Sequence, residues 1–293
     1  MEHPVLWMEV HTYNPIMHRR NVLLGSLGCL LSSSIPVVAQ QNSNVGGRLK
    51  DYPALRGYLA SLRNIPKGTF QMGSASGTSD ERPKHTVRLS AFRMGATPVT
   101  VAVWKEYCAA TKTPLPDAPP WGLLDDHPVV NVSWDEIMGL DGKGGFCAWA
   151  SDIAGFRLTL PTEAQFEYAS RGGQDGLAYP WGDTFDVTKV WCSVMTVRTQ
   201  TAPVLRPSNI YRNAYGLTDM AGNVLHFCSD WYGPYTSCLL TDPSGSPSST
   251  ENFRSVRGGS WGIDDPEVFQ CSLRFRNISG SRSPSVGFRL VAG

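Results

Sequence analysis

Residues 158–173 read LTLPTEAQFEYASRGG and predict a short helix with a defined start. Thr162 followed by Gln165 is a capping-box pattern, in which each side chain bonds the backbone N–H of the other residue. Glu163 and Glu167 stand four residues apart, so both carboxylates lie on one face of the helix. Such a pair could act as a general acid and base, but a capping role and a buried ion pair are the favoured interpretation.

The segments before this helix alternate between helical and extended patterns. Residues 52–63 have helical spacing, 65–75 are predicted to be a strand, and 85–101 are predicted to be two short strands. Residues 100–111 are predicted to be a helix that Thr100 caps.

The middle of the chain is less regular. Residues 114–128 are rich in proline, which breaks regular structure. Residues 129–135 are predicted to be a short strand running into a helix that Ser133 caps, and 142–151 to be a further helix. Beyond residue 173, short apolar runs alternate with Gly, Asn and Asp turns. Helices early and short strands late, without a βαβ repeat, favour an α+β fold with much irregular loop.

The composition predicts a folded protein and argues against nucleic acid as its partner. Of 293 residues, 41% are hydrophobic and 17% are charged, so the chain can bury a core. The formal net charge is +1 and the sequence has no long basic run. A nucleic acid is therefore not expected as a partner, because nucleic-acid binding relies on positive charge.

Residues 1–39 are predicted to be an export signal. The arginines at 19–20 precede an apolar stretch whose core, residues 22–31, is too short to span a bilayer. The arginine pair resembles a twin-arginine signal, Met17 is the expected start, and cleavage is expected after Ala39. A buried N-terminal helix is the alternative interpretation.

The predicted export signal implies where the protein is located and where its domains begin. The protein is expected to be periplasmic or secreted. The residues before Cys29 fit a lipidation signal poorly, so contact with a membrane is expected only if the chain is lipidated. After the signal, residues 40–63 are predicted to be a lead-in with a helix, and 64–293 to be one domain.

Six cysteines follow the signal, and some are expected to pair in an oxidising compartment, although the sequence leaves their connectivity open. They are Cys108, Cys147, Cys192, Cys228, Cys238 and Cys271. None of them forms a C-x-x-C motif, so a zinc ribbon or a thioredoxin-like site is not expected.

Eight motifs follow one another along the chain. In order they are MGS at 72–74, PVVNVSWD at 128–135, LPTEAQFEYASRGGQ at 160–174, YPWGDT at 179–184, NAYGLTDMAGNVL at 213–225, SDWYG at 229–233, RGGSWG at 257–262 and GFRLV at 287–291. This series resembles the formylglycine-generating-enzyme, or sulfatase-modifying-factor, family. The resemblance implies a C-type-lectin-like α+β domain over roughly residues 64–292.

Several motif residues have structural roles that suffice for folding. The tryptophans of the motifs are expected to be core aromatics whose N–H groups find partners: Trp181, Trp231 and Trp261. Gly258 and Gly259 are expected to permit a close backbone approach or a positive φ. The motif arginines are expected to pair with carboxylates or carbonyls: Arg171, Arg257 and Arg289.

The resemblance implies a copper(I) site of two cysteines, which this chain does not reproduce. Ile263 and Val268 stand at the two corresponding positions, and Cys271 is the only cysteine in this segment. Soft thiolates suit copper(I), but one thiolate cannot supply a two-thiolate site. We therefore expect no cofactor. Copper, with Cys271 and the matching Ser260 as catalytic residues, is the alternative.

The calcium sites that the resemblance implies are altered as well. The chain has Leu225, His226 and Phe227 where the family pattern has Trp-Glu-Trp, and residues 190–204 contain no Asn or Asp. Neutral imidazole is a poor calcium ligand, so no metal is expected. His226 is expected to be a hydrogen-bonded structural residue. Iron ligation, used by related sulfoxide synthases, would need a further helical domain.

Three functions stay open, and whether the chain is an enzyme is undecided at this point. The first is an exported, non-catalytic protein that binds a protein or a small molecule through its C-terminal face, residues 261–286. It resembles the variable proteins of diversity-generating retroelements. The second is an oxidoreductase acting on a thiol or other small substrate in the periplasm. The third is a structural envelope component. The predicted binding residues are Trp261, Ile263, Asp264, Asp265, Val268, Phe269, Ser272, Phe275, Asn277 and Ser279.

Overall fold

The computed structural model describes residues 48–140, 143–206 and 212–293. The predicted export signal lies outside the described residues. The α-helices of the described part are α1 (Pro53–Ala60), α2 (Val101–Thr111), α3 (Trp134–Met138), α4 (Phe146–Ala154) and α5 (Glu163–Ser170). Its strands are β1 (Arg63–Ile65), β2 (Gly68–Met72), β3 (His85–Leu89), β4 (Phe92–Met94), β5 (Gly139–Leu140), β6 (Lys143–Gly144), β7 (Leu225–Trp231), β8 (Leu240–Thr241), β9 (Phe253–Arg257), β10 (Phe275–Ile278), β11 (Val286–Gly287) and β12 (Val291–Ala292).

The strands form small sheets that bring distant parts of the chain together. A four-stranded sheet has the order β10-β9-β7-β11, and two three-stranded sheets have the orders β1-β4-β12 and β2-β3-β8. In the first, His226 lies opposite Arg257, and β11 runs parallel to β7. Short strands with long connections agree with the predicted α+β fold, and the lectin-like topology brings the C-terminus next to β4.

The core has one large cluster and two smaller ones. In the large cluster, Trp104 stacks on Phe146 with ring centroids 5.1 Å apart, and both meet Phe288 edge to face. The second cluster packs α5, through Phe166, against the β2–β4 region. The third, smaller cluster contains Phe269. Burial of such large apolar side chains is the main stabilising contribution to the fold.

The three predicted helix caps are confirmed. Thr162 accepts a hydrogen bond from Gln165 N at 3.1 Å, and the Gln165 side chain accepts one from Thr162 N at 2.9 Å. Ser133 forms the same capping box at α3, and Thr100 caps α2. These caps could be predicted from the sequence because each one uses residues within a single helical turn.

Several predicted elements differ in the structure. The helix predicted over residues 142–151 begins at Phe146 and ends at Ala154, and Gly144 belongs to β6. Residues 129–132 form no regular strand, because Asn131 has a φ of 58°, which an extended run does not permit. The helix predicted from residue 52 to 63 ends at Ala60, and Arg63 starts β1.

Two expectations about side chains also need correction. The tryptophans Trp181, Trp231 and Trp261 are half-buried rather than core residues. No disulfide joins the cysteines of the described part: all six are free, and five of them are buried. Four of the buried cysteines are divided among the packed clusters, with Cys108 and Cys147 in the large one, Cys228 in the second and Cys192 in the third.

Candidate functional site

The C-terminal face begins at a turn that requires glycine. Gly258 and Gly259 have φ of 99° and 70°, as predicted for this pair. A Cβ on Gly259 would lie 2.7 Å from the Phe269 ring, so this turn can pack closely only without side chains. From here, residues 261–286, which we call the recognition segment, run through a short 3-10 helix (Pro266–Phe269) into β10 and on to β11.

The predicted binding residues fall into three groups by exposure. Asp264 and Asp265 are exposed. A second group is half-buried and presents part of each side chain to solvent: Trp261, Ile263, Val268, Phe275, Asn277 and Ser279.

Phe269 and Ser272 form the third group, and the prediction that they lie on the recognition surface is wrong. Phe269 is 1% exposed, stacks on Phe185 at 6.1 Å and belongs to the third core cluster. Ser272 is 6% exposed. Both side chains are therefore buried in the fold and not available to a ligand.

The first part of the segment packs on two loops from elsewhere in the chain. The rings of Trp121 and Trp261 meet edge to face at 5.4 Å, and Trp261 Nε1 donates to Pro284 O at 3.1 Å. Ser193 N donates to Ile263 O at 2.8 Å, and Ser193 Oγ donates to Trp261 O at 2.9 Å. Trp121 is not among the predicted binding residues. A tryptophan inside a proline-rich loop was the signal that could have indicated it.

The second part of the segment lies beside a stack of aromatic rings and guanidinium groups. The Arg254 guanidinium is sandwiched between Trp134 and Trp231, at 3.4 and 3.1 Å from their ring centroids. Arg276 on β10 lies 4.9 Å from the centroid of Phe253. Cation–π contacts of this kind fix the long arginine side chains against flat rings.

Buried charges under the segment hold its backbone in place. Arg257 is 1% exposed and donates to Cys271 O at 2.9 Å and to Leu273 O at 3.0 Å. The same guanidinium bonds Glu163 at 2.9 Å and Glu167 at 2.9 Å. The carboxylates predicted as a possible acid–base pair therefore serve as buried ion-pair partners.

The ionisation of this network follows from its contacts. Burial opposes the charge of Glu163, but the guanidinium groups of Arg257 and Arg274 outweigh it and lower its pKa to about 2. Asp230 accepts a hydrogen bond from Glu163 N at 3.0 Å, and burial together with the charge of Glu163 raises the pKa of Asp230 to about 7. The network thus holds one firmly ionised carboxylate beside one that titrates near neutrality.

The two alternative catalytic residues are both buried. Ser260 is 2% exposed and Cys271 is 6% exposed, and burial raises the pKa of the Cys271 thiol to about 12. A thiol in this state is neither a good nucleophile nor a good copper ligand. Ile263 packs against the third core cluster, so its position offers no ligand either. These residues do not fit a two-thiolate copper(I) site.

His226 has the structural role that the sequence analysis favoured. It is 0% exposed, and its Nε2 lies 3.2 Å from a guanidinium nitrogen of Arg289. Burial, and then the charge of Arg289, lower the pKa of His226 well below its ordinary value, so the ring is neutral and accepts this hydrogen bond. Because Arg289 already brings a positive charge to this position, His226 is poorly suited to bind a cation.

Metal-ligating side chains do not cluster in the described part of the chain. Residues 48–140, 143–206 and 212–293 contain no group of three or more His, Cys, Asp or Glu side chains that could hold a metal ion. Within the same ranges, no helix has the length and apolar character needed to cross a membrane.

Comparison with known proteins gives concordant results. The family model described as the sulfatase-modifying factor enzyme 1-like domain matches residues 57–293. A formylglycine-generating enzyme of Streptomyces coelicolor is 32% identical, over 77% of this chain and 87% of its own length. A serine/threonine-protein kinase, pkn1 of Chlamydia pneumoniae, is 30% identical over 82% of this chain, which spans only 39% of that longer relative.

A solved structure shares the fold. Treponema denticola variable protein 1 superposes with a TM-score of 0.66 and 24% identity, over 79% of this chain and 94% of its own. The family match, the close relative and the shared fold agree with the motif order and with the lectin-like arrangement of short sheets. The chain belongs to the sulfatase-modifying factor enzyme 1-like domain family.

Proposed function

We propose that this protein is an exported, non-catalytic binding protein whose recognition segment, residues 261–286, contacts a ligand without a bound cofactor. The observation that carries this proposal is the state of the only cysteine in the segment. Cys271 is buried with a neutral thiol, while Asp264 and Asp265 and the half-buried aromatics face solvent. The segment therefore presents carboxylates and aromatic rings that can contact a ligand, at the place where the family enzyme would need a metal site.

The way the segment is held supports a role in recognition. The buried Arg257 donates a hydrogen bond to the backbone carbonyl of Cys271, and Cys271 N donates to Ala178 O at 2.7 Å. These contacts use main-chain atoms of the segment, so they do not depend on which side chains it presents. A fixed backbone with exchangeable side chains suits a surface that varies between partners.

A retroelement origin is the specific form of this proposal. Apart from Trp261, which belongs to the RGGSWG motif, the predicted binding residues are of types that randomised adenines in asparagine codons can produce. Glu267 and Gln270 do not fit such codons and would have to be invariant. A reverse-transcriptase gene beside this one, with a near-copy of the codons for residues 260–289, would support it. Without such a copy, the retroelement origin is rejected and a binding role of fixed sequence is left.

An oxidoreductase acting on a thiol is the second candidate, because a formylglycine-generating enzyme is similar over 87% of its own length. Copper(I) binding to the reduced protein separates the candidates. We expect no tight one-to-one binding in competition with a bathocuproine chelator, and the same result for Cys271→Ala.

The exposed Cys238 could bind copper nonspecifically, so the titration is run in a Cys238→Ser background. Tight one-to-one binding that persists in this background and disappears in Cys271→Ala would reject the proposal. It would favour the oxidoreductase candidate, with a copper site of a single thiolate.

A further inference from the structure

Two loops from outside the recognition segment extend its first part into a wider surface. We call this surface the tryptophan face, and it consists of Trp121, Met195, Val197, Trp261 and Ile263. Trp121 reaches it through its edge-to-face contact with Trp261 at 5.4 Å. The loop that carries Met195 and Val197 joins it through the two hydrogen bonds from Ser193 to the backbone of Trp261 and Ile263.

The loop presents large apolar side chains to water although it is well braced. Met195 is 77% exposed and Val197 is 81% exposed. Arg198 N closes the loop on Ser193 Oγ at 2.9 Å, and the Arg198 guanidinium lies 3.9 Å from the centroid of the Trp191 ring. Exposed apolar side chains on a braced loop do not contribute to the core. A loop of this kind, hydrogen-bonded to the backbone of a half-buried tryptophan, is typical of an interaction surface.

Exposed carboxylates follow two parts of the tryptophan face along the chain, the part at Ile263 and the part at Trp121. Asp264 and Asp265 follow Ile263 directly and are exposed, as is Glu267 in the next turn. On the Trp121 side, Asp126 is exposed, whereas Asp125 is neutralised by Lys105 at 2.7 Å. Arg198 supplies one positive charge, and it lies flat against Trp191. The face is therefore locally negative in a chain whose formal net charge is +1.

The shape of the face indicates the size of its partner. Met195 and Val197 leave most of each side chain in solvent, so they project from the surface and do not line a cavity. Small molecules bind in concave sites that enclose most of their surface, whereas protein partners bind open apolar surfaces with a polar rim. An open apolar face with an acidic rim fits a polypeptide better than a small ligand.

We infer that the tryptophan face binds a basic segment of a protein partner. Apolar side chains of that segment pack on Met195 and Val197, and its Lys or Arg side chains meet the carboxylates of Asp264 and Asp265 or the tryptophan rings. Complementary charge supports the choice of partner, because a cation gains both from the carboxylates and from the faces of tryptophan rings. This inference rests on the proposed function and names the chemistry of its partner.

Peptides of controlled charge test the inference. Fluorescein-labelled peptides of about 12 residues, in which Leu alternates with Lys, Ser or Glu, are titrated with the full mature chain and followed by anisotropy. We expect the Lys peptide to bind at least about tenfold more tightly than the Ser peptide and the Glu peptide to bind most weakly. The advantage of the Lys peptide should shrink as salt rises from about 50 to 500 mM, because salt screens exposed charges.

Surface variants locate the binding. Met195→Ser with Val197→Ser should weaken binding of the Lys peptide about tenfold through lost apolar contact. Asp264→Asn with Asp265→Asn should weaken it and flatten its salt dependence, while the amide oxygen introduced at position 265 can still accept the Glu267 N–H bond that Asp265 now accepts at 3.0 Å. The matched controls are Leu140→Ser, at a position that is 72% exposed, and Asp51→Asn, also at an exposed position, and both should bind as the unaltered chain does.

Equal affinity for the three peptides, or an unchanged affinity in the Met195 and Val197 variant, would overturn the inference. The copper(I) titration decides the proposed function separately. If copper is not bound and the peptides show no charge preference, only the partner's chemistry is rejected. Tight copper(I) binding through Cys271 would reject the proposed function itself, whatever the peptides do.

Discussion

Glu163 is 3% exposed and lies between two guanidinium groups, those of Arg257 and Arg274. Ser255 Oγ completes its shell with a hydrogen bond of 2.9 Å. A buried carboxylate costs desolvation free energy, which the fold offsets only because every partner is in place. Arg257, which belongs to the same network, holds the backbone of the recognition segment through hydrogen bonds. Glu163 lies outside the segment but orients Arg257, so it influences the geometry of the segment.

Glu163→Gln should therefore destabilise the protein by about 3 kcal/mol at pH 7, because it leaves two buried guanidinium groups facing a neutral amide. The pKa of Glu163 is lowered from 4.5 to about 2, so its ionisation stabilises the fold above about pH 4.5. That contribution is lost as the pH falls through about 2.

Urea unfolding at several pH values between 7 and 2 measures this effect. The difference in unfolding free energy between the unaltered chain and Glu163→Gln should shrink toward pH 2. The exposed Glu251→Gln is the control and should stay within about 0.5 kcal/mol of the unaltered chain. A difference that is constant over the whole pH range would show that Glu163 acts by packing and not by charge.

Helix α5 shows how local and long-range signals combine in one element. Its start is defined locally by Thr162 and Gln165, which is why the sequence predicted it correctly. Its buried residues pack against β2 and β7, and Asn213 Nδ2 donates to Ala169 O at 2.7 Å near its end. The predicted strand at 129–135 is the contrasting case, because Asn131 adopts a positive φ and its N–H bonds Ser283 O, far along the chain.

Removing the cap of α5 should cost a moderate amount of stability. Thr162→Ala deletes the oxygen that accepts the Gln165 N–H bond at 3.1 Å, and the loss of such a cap costs about 1 kcal/mol. Chemical denaturation at pH 7 measures the change, with Thr199→Ala at an exposed loop position as the control. A loss below about 0.3 kcal/mol would mean that tertiary packing alone defines the helix start.

At the scale of the whole molecule, the C-terminal strands join the recognition segment to the N-terminal half. Val291 of β12 lies opposite Met94 of β4, and the same residue exchanges backbone hydrogen bonds with Thr159. Cys147, Cys228 and Cys271 are buried within this assembly, whereas Cys238 is exposed. The reactivity of the thiols therefore reports on the integrity of the whole fold.

Thiol titration with DTNB should separate Cys238 from the other described cysteines. In the native, reduced protein Cys238 should react rapidly, and Cys238→Ser should remove this fast phase. The buried thiols should react only after unfolding in guanidinium, because burial raises the pKa of Cys147 and of Cys271 to about 12. Fast reaction of several thiols without denaturant would contradict the close packing of the core.

The sequence by itself determined the family, the α+β class, the capped helix starts and the position of the C-terminal segment. These follow from local chemistry and motif order, which are linear properties of the chain. Tertiary structure alone decided that Phe269 and Ser272 are buried and that Trp121 contacts Trp261. It also decided that Ser193 bonds its loop to the segment and that Arg257 fixes the backbone of the segment. Burial and contact between residues far apart in sequence depend on how the loops pack, and that packing has no periodic signature in an irregular fold.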